Sequence, residues 1–187
     1  VSFFDEKIHR IRRQSPDIEE INDAVELLKG AKRPMIIAGG GIQYSGAVSE
    51  LTDFANKFQF PVVETIAGRA NLLDTHDLNI GPLGVTGSNS ANNIAEEADV
   101  ILAIGTRLQD FTTGSWTAFS KDAKIICLNV ARHDAAKHLS LPIVGDAKLG
   151  LNLLSYELDG YKTPSEWTEN ARKERVVWND YVEKIQI

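Results

Sequence analysis

Apolar residues recur along the chain in two alternating registers. Ile18, Ile21, Val25 and Leu28 share the face of a helix that Asp17 can open and Gly30 can end. Pro34 then leads into Met35, Ile36, Ile37 and Ala38, an unbroken apolar run of strand length followed by three glycines. Leu51, Phe54, Ala55 and Phe58 line one side of a second helix over residues 47–58, and Pro61-Val62-Val63 begins the next strand. Residues 88–98 read as a helix and 100–104 as a buried strand. Runs at 125–130 and 142–144 add two strands, after which Asp146 can cap a helix reaching Tyr156. Strands apolar on both faces, separated by helices, belong to a parallel sheet covered on both sides. The expected architecture is a doubly wound α/β domain, with a mostly parallel, six-stranded, Rossmann-like sheet and helices on both faces.

The two ends follow other patterns. Residues 1–16 are charged, finish in Ser15-Pro16 and read as a linker, which leaves 17–158 as the α/β domain. Residues 159–187 read as an exit segment ending in one amphipathic helix, with Trp167, Ala171, Glu174 and Trp178 at helical spacing for packing. The 187 residues carry 26 acidic and 20 basic side chains, a net charge of −6. That balance offers no overall footprint for DNA, RNA or an anionic membrane. No apolar stretch approaches the roughly 18 residues of a transmembrane helix. The single cysteine, Cys127, sits in the run Ile125-Ile126-Cys127-Leu128 and reads as a core thiol in a reducing cytoplasm. The only methionine is Met35, so the chain opens at Val1 without an initiator, as a processed or excised piece of a longer protein would.

In such folds ligands sit at the carboxyl ends of the strands, and three glycine-bearing loops lie there. The first is Gly39-Gly40-Gly41-Ile42-Gln43-Tyr44-Ser45-Gly46, which either lets a backbone approach a pyrophosphate or simply makes a tight turn needing positive φ. The second is Gly81-Pro82-Leu83-Gly84-Val85-Thr86-Gly87, and the third runs from Gly105 to Gly114. In the third, Arg107 is a phosphate or ribose partner or else an ion pair for Asp110. Glu64, at the end of the second strand, stands where a dinucleotide fold places a ribose-binding carboxylate. The four histidines show no H-E-x-x-H spacing, no G-x-S-x-G elbow occurs, and Ser88 reads as a helix cap. Glu96-Glu97 is a solvated helix face. The pattern is a cofactor-type pocket without a chemical operator.

Several of these stretches carry a family resemblance. They are the Gly39-Gly40-Gly41 turn, Leu83-Gly84-Val85-Thr86-Gly87 with Ala91-Asn92, and residues 98–107 ending Ile104-Gly105-Thr106-Arg107. Asn129-Val130 before Lys137, and Val144-Gly145-Asp146, complete the series. In combination the chain resembles, over residues 17–158, the central domain of thiamine-diphosphate-dependent enzymes of the acetolactate synthase and pyruvate oxidase type. Phe3-Phe4, residues 9–13, Asp110-Phe111-Thr112-Thr113-Gly114-Ser115 and the two tryptophans Trp167 and Trp178 narrow the likeness to one branch, hydrolases that open a carbon ring.

The resemblance implies a Rossmann-like domain of the NAD/FAD-binding type, with thiamine diphosphate and magnesium held outside this chain by two flanking domains of the same polypeptide. One of those supplies an activating glutamate and the other a Gly-Asp-Gly motif, which this sequence lacks. The chain would then be a non-catalytic middle third of a cytoplasmic homo-oligomer, a dimer or tetramer. The family's central domain holds FAD in acetolactate synthases, ADP in an oxalyl-CoA decarboxylase, and nothing in others. By resemblance Gly39, Gly40 and Gly41 face the adenosine-ribose-diphosphate part, and Gly84, Thr86 and Gly87 run along the ribityl or phosphate region. Arg107, Asn129, Gly145 and Asp146 surround the rest. Thr86 stands where FAD binders have histidine, Gln109-Asp110-Phe111 where they have Asp-Asp-Arg, and Ala131 where they have aspartate. A weak, altered or vacant nucleotide site is the expectation. The alternatives are an acetolactate-synthase-like FAD or ADP domain, or a free-standing nucleotide-binding module.

Overall fold

A computed structural model of the chain describes residues 4–6 and 12–185. Phe3 and residues 9–11, part of the linker motif above, lie outside the described residues.

Helices and strands alternate as α1 (Ile18–Gly30), β1 (Pro34–Ala38), α2 (Gly41–Ser45), α3 (Val48–Phe58), β2 (Val62–Glu64) and β3 (Asn79–Pro82). They continue as α4 (Asn89–Glu97), β4 (Val100–Ile104), α5 (Asp110–Thr113), β5 (Lys124–Asn129), α6 (Arg132–Ala135), β6 (Leu141–Val144), α7 (Ala147–Glu157) and α8 (Ser165–Ile185). Asp17, Ser88 and Asp146 each cap a helix with a side-chain oxygen, so these starts were written in the sequence.

The six strands form one sheet in the order β3-β2-β1-β4-β5-β6, and every pairing is parallel. β3 has no apolar run of its own. Asn79-Ile80-Gly81-Pro82 reads as the start of a glycine loop, yet it pairs along the edge of β2. Proline is tolerated there because an edge position leaves one side of the strand without a partner. A second difference lies at the first glycine run, where a one-turn helix, α2, begins at Gly41 instead of an open loop.

Alternation along the strands sends Ile36, Ala38, Leu102 and Ile104 to one face and Met35, Ile37, Ile101 and Ala103 to the other. The first face is covered by α1, α3 and α7, and the second by α4 and α8. Burial of both faces makes the strands continuously apolar. Trp167 and Ala171 of α8 are buried in the second core, and the Trp167 indole N–H donates to the Pro34 carbonyl at 2.8 Å. Glu174 accepts from Asn93 at 2.8 Å, whereas Trp178 is half-buried and packs at a tilt against Tyr181. Cys127 is fully buried, and burial pushes its thiol up to about 12, so it is a core group with no accessible thiolate. Among the described residues no helix is long and apolar enough to cross a membrane.

Candidate functional site

The strand order reverses between β1 and β4, and a crevice opens outside the carboxyl ends of strands at such a switch point. A cleft of about 870 Å³ lies there. Its position follows from how the ladders end. Gly39 N–H donates to Ile104 O at 2.9 Å, Gly105 N–H to Leu128 O at 2.9 Å, and Gly145 N–H to Asn129 O at 3.0 Å. Each of three strands thus gains one further rung before its chain turns away, and the three turns meet at one edge.

The turn after β1 does not need glycine for positive φ, since Gly39, Gly40 and Gly41 all lie outside that region. It needs glycine for proximity. A Cβ on Gly39 would lie 2.4 Å from Gly105 O and 2.7 Å from the Thr106 Cβ. Gly105, at φ 60°, supplies the left-handed step on the other side. Asn71, from the loop between β2 and β3, fixes the turn by donating from Nδ2 to Gly39 O at 2.9 Å.

Of the candidates read from sequence, Gly40, Gly41, Arg107, Asn129, Gly145 and Asp146 line the cleft. Gly39 is not part of the lining. Nor are Gly84, Thr86 and Gly87. They form a turn that backs onto α5: a Cβ on Gly84 would fall 2.2 Å from Phe111 O, and Val85 N–H donates to Phe111 O at 2.9 Å. Asn92 clamps that turn, with Oδ1 accepting from Gly84 N–H at 3.0 Å and Nδ2 donating to Gly84 O at 3.1 Å. The Gly-Val-Thr-Gly…Asn pattern therefore has a local structural cause.

Arg107 is exposed and has no hydrogen-bond or ion-pair partner among the described residues, so the Asp110 pair is not formed. Glu64 is buried and outside the lining; its Oε1 accepts from Leu72 N–H at 3.0 Å. Asn129 ties β4 to β5, donating from Nδ2 to Thr106 O at 2.9 Å while its Oδ1 accepts from Ala131 N–H at 3.1 Å.

Two residues with a part in this site fall within stretches the sequence marks but are not singled out there as site residues. Ser45 lines the cleft from α2, and Arg13 reaches its edge from the segment before α1. Arg13 Nη1 donates to Asp146 Oδ2 at 2.7 Å and to Ser45 Oγ at 2.9 Å. Residues 13–16 lie along the cleft edge: Gln14 O accepts from Asp146 N–H at 2.8 Å, and Pro16 is buried against Gly145. Along the chain the side-chain partners of Arg13 lie 32 residues away at Ser45 and 133 at Asp146.

The cleft's fit to a nucleoside diphosphate can be tested atom by atom. A phosphate cradle needs free backbone N–H groups. Here the Gly41 N–H is taken by Gly105 O at 2.9 Å, and the Lys148 and Leu149 N–H groups at the start of α7 are taken by Asp146 Oδ1 at 3.1 and 3.3 Å. A carboxylate thus occupies the start of α7 at that end of the cleft, whereas the lining N–H groups of Gly40, Thr106, Arg107 and Val130 have no acceptor among the described residues. Among the described residues, no group of three His, Cys, Asp or Glu side chains converges to hold a metal ion.

A switch-point cleft on an all-parallel sheet is where α/β folds of this kind bind ligands. Comparison with known proteins gives the chain a family. Residues 21–154 match the model described as thiamine pyrophosphate enzyme, central domain, and the chain belongs to that family. Three similar proteins all bear the name 3D-(3,5/4)-trihydroxycyclohexane-1,2-dione hydrolase. The protein of Geobacillus thermodenitrificans (strain NG80-2) is 40% identical over 184 residues, which is 98% of this chain and 28% of that protein. Those of Clostridium tetani (strain Massachusetts / E88) and Bacillus thuringiensis (strain Al Hakam) are 39% and 37% identical, again over 98% of this chain and 29% of theirs. The chain therefore spans under a third of the length of the curated relatives it matches.

Proposed function

We propose that this chain is the central, non-catalytic domain of a thiamine-diphosphate-dependent 3D-(3,5/4)-trihydroxycyclohexane-1,2-dione hydrolase, which opens a carbocyclic ring by C–C cleavage in myo-inositol catabolism. One observation carries this reading. The likeness to hydrolases of that name runs over 184 residues, well past the 21–154 that define the central domain in general. It thus takes in residues on either side of the shared core, where family members have least reason to agree.

In this reading thiamine diphosphate and magnesium are bound by the flanking domains of the same polypeptide, and this chain contributes no reacting group. Its part is to hold those domains in register within a cytoplasmic homo-oligomer, a dimer or tetramer. The domain proper is residues 17–158, with 1–16 leading in and 159–187 leading out. The rigid edge built from Gly39, Gly105 and Gly145 supports a positioning role, since three strand ends are locked to one another there. The nucleotide site is altered: Gly40, Gly41, Arg107, Asn129, Gly145 and Asp146 remain around the cleft, while the Gly41 N–H and the N–H groups at the start of α7 are taken up by the chain's own atoms.

The test is to express the full-length protein and assay it with thiamine diphosphate and Mg2+. Ring opening of the dione is expected, together with no acetolactate from pyruvate and no flavin absorbance. Pyruvate condensation with a bound flavin would replace this reading by that of an acetolactate-synthase-like enzyme.

A further inference from the structure

Asp146 and Ser45 have no hydrogen-bonding capacity left, and Arg13 is the reason. A carboxylate offers about four acceptor positions. Those of Asp146 are filled by the N–H groups of Lys148 and Leu149 on Oδ1, and by Arg13 Nη1 and the Ser45 hydroxyl on Oδ2. Ser45 Oγ is equally complete. It accepts from Arg13 Nη1 at 2.9 Å and from Lys148 N–H at 3.0 Å, and donates to Asp146 at 2.9 Å. Withdrawing Arg13 frees one acceptor on each residue. The two acceptors are only 2.9 Å apart and both face the cleft.

We propose that Arg13 is a latch on the cleft, and that the ligand that displaces it is a neutral vicinal diol, such as the ribose of a nucleoside or one edge of a polyhydroxylated ring. Two neighbouring hydroxyls match two neighbouring acceptors. A phosphate is repelled by the carboxylate that Arg13 leaves behind. The latch is able to open because the Arg13 side chain is 43% exposed, where solvent weakens an ion pair, whereas Asp146 is only 11% exposed and stays in place as half of the site. The inference rests on the altered-nucleotide-cleft reading above and states which group the cleft selects.

The test titrates the 187-residue chain and its Arg13→Ala and Arg13→Gln variants with adenosine, 2′-deoxyadenosine, ADP and myo-inositol by calorimetry, after circular dichroism has identified which variants fold. A folded variant is expected to bind adenosine at least roughly tenfold tighter than the parent, the scale of one charged hydrogen bond, and to lose that gain with 2′-deoxyadenosine. A gain with myo-inositol alone supports the latch and the diol while removing the nucleotide reading. Equal affinity of parent and variant for both adenosine and myo-inositol overturns the latch, and adenosine binding by both in that case leaves the nucleotide reading standing. No binding of any probe to any folded form overturns both. Should neither variant fold, the parent chain decides by itself: millimolar adenosine or myo-inositol is expected to speed tryptic cleavage after Arg12 and Arg13, and an unchanged rate overturns the latch.

Discussion

Removal of Trp167 tests whether α8 belongs to the folding unit, because this residue lies beyond the 21–154 that define the family domain. The indole is 5% exposed in the second core, and its N–H reaches Pro34 O at 2.8 Å, so it fastens the last helix to the first strand. A buried tryptophan covers roughly 150–250 Å², worth about 4–6 kcal/mol at about 25 cal/mol per Å²; mutational experience with Trp→Ala gives about 3–5 kcal/mol. Trp167→Ala is therefore expected to remove about 4 kcal/mol, a large part of a domain's usual 5–15 kcal/mol, roughly speaking. Trp167→Phe keeps most of the apolar contact but deprives the Pro34 carbonyl of a donor, which costs about 1–2 kcal/mol. Equilibrium urea unfolding followed by far-ultraviolet circular dichroism reads both values without relying on the fluorophore removed. Losses below about 0.5 kcal/mol for both variants would refute the docking of α8, since no buried indole in a close-packed core is that dispensable. Equal losses for Ala and Phe would refute the packing share and leave only the hydrogen bond.

Further expectations concern the sheet edge and the buried thiol. Gly39→Ala places a Cβ 2.4 Å from Gly105 O, backbone against backbone, and should cost about 3 kcal/mol in a urea melt; a neutral substitution would mean that the two turns are not in contact. Asn92→Ala removes both hydrogen bonds to Gly84 and should cost about 1–2 kcal/mol, with faster amide exchange at Gly84 and not at the cleft glycines. Cys127 is expected to resist an aromatic disulfide reagent at pH 8 until the chain is unfolded. Its folded thiol holds its proton to about 12, against 9.0 as the ordinary value, so the unfolded state releases a proton first and stability falls as pH rises between those two values. Burial raises the Tyr161 phenol too and adds in the same direction above pH 10. Cys127→Ala should flatten the lower part of that slope, and an unchanged slope in that variant would contradict the assignment to the thiol.

What the sequence reveals depends on whether a residue's partner is near or predictable. β1, β4 and β5 are legible because burial on both faces leaves an unbroken apolar run, and the caps at Asp17, Ser88 and Asp146 are legible because each acts within three residues. β3 is not, since an edge strand with glycine and proline has no apolar signature and exists only through β2. The glycine motifs mark the correct strand ends, but the cause is mixed. Gly39 is required by its contact with Gly105, whereas Gly84 serves a turn against Phe111 that does not enter the cleft. A motif reading assigns both to one ligand, because glycine at a strand end looks the same whether a phosphate or another backbone approaches it. Arg13 and Ser45 fall in stretches the sequence marks, but their meeting is not legible there. Their meeting with Asp146 spans 133 and 101 residues and depends on β1 and β6 ending at one edge. For the same reason the cleft is visible only in part from the sequence. Thr86, Gln109 and Ala131 can be read directly from the chain, while only the fold shows that Arg13 meets Ser45 and Asp146 at the cleft edge.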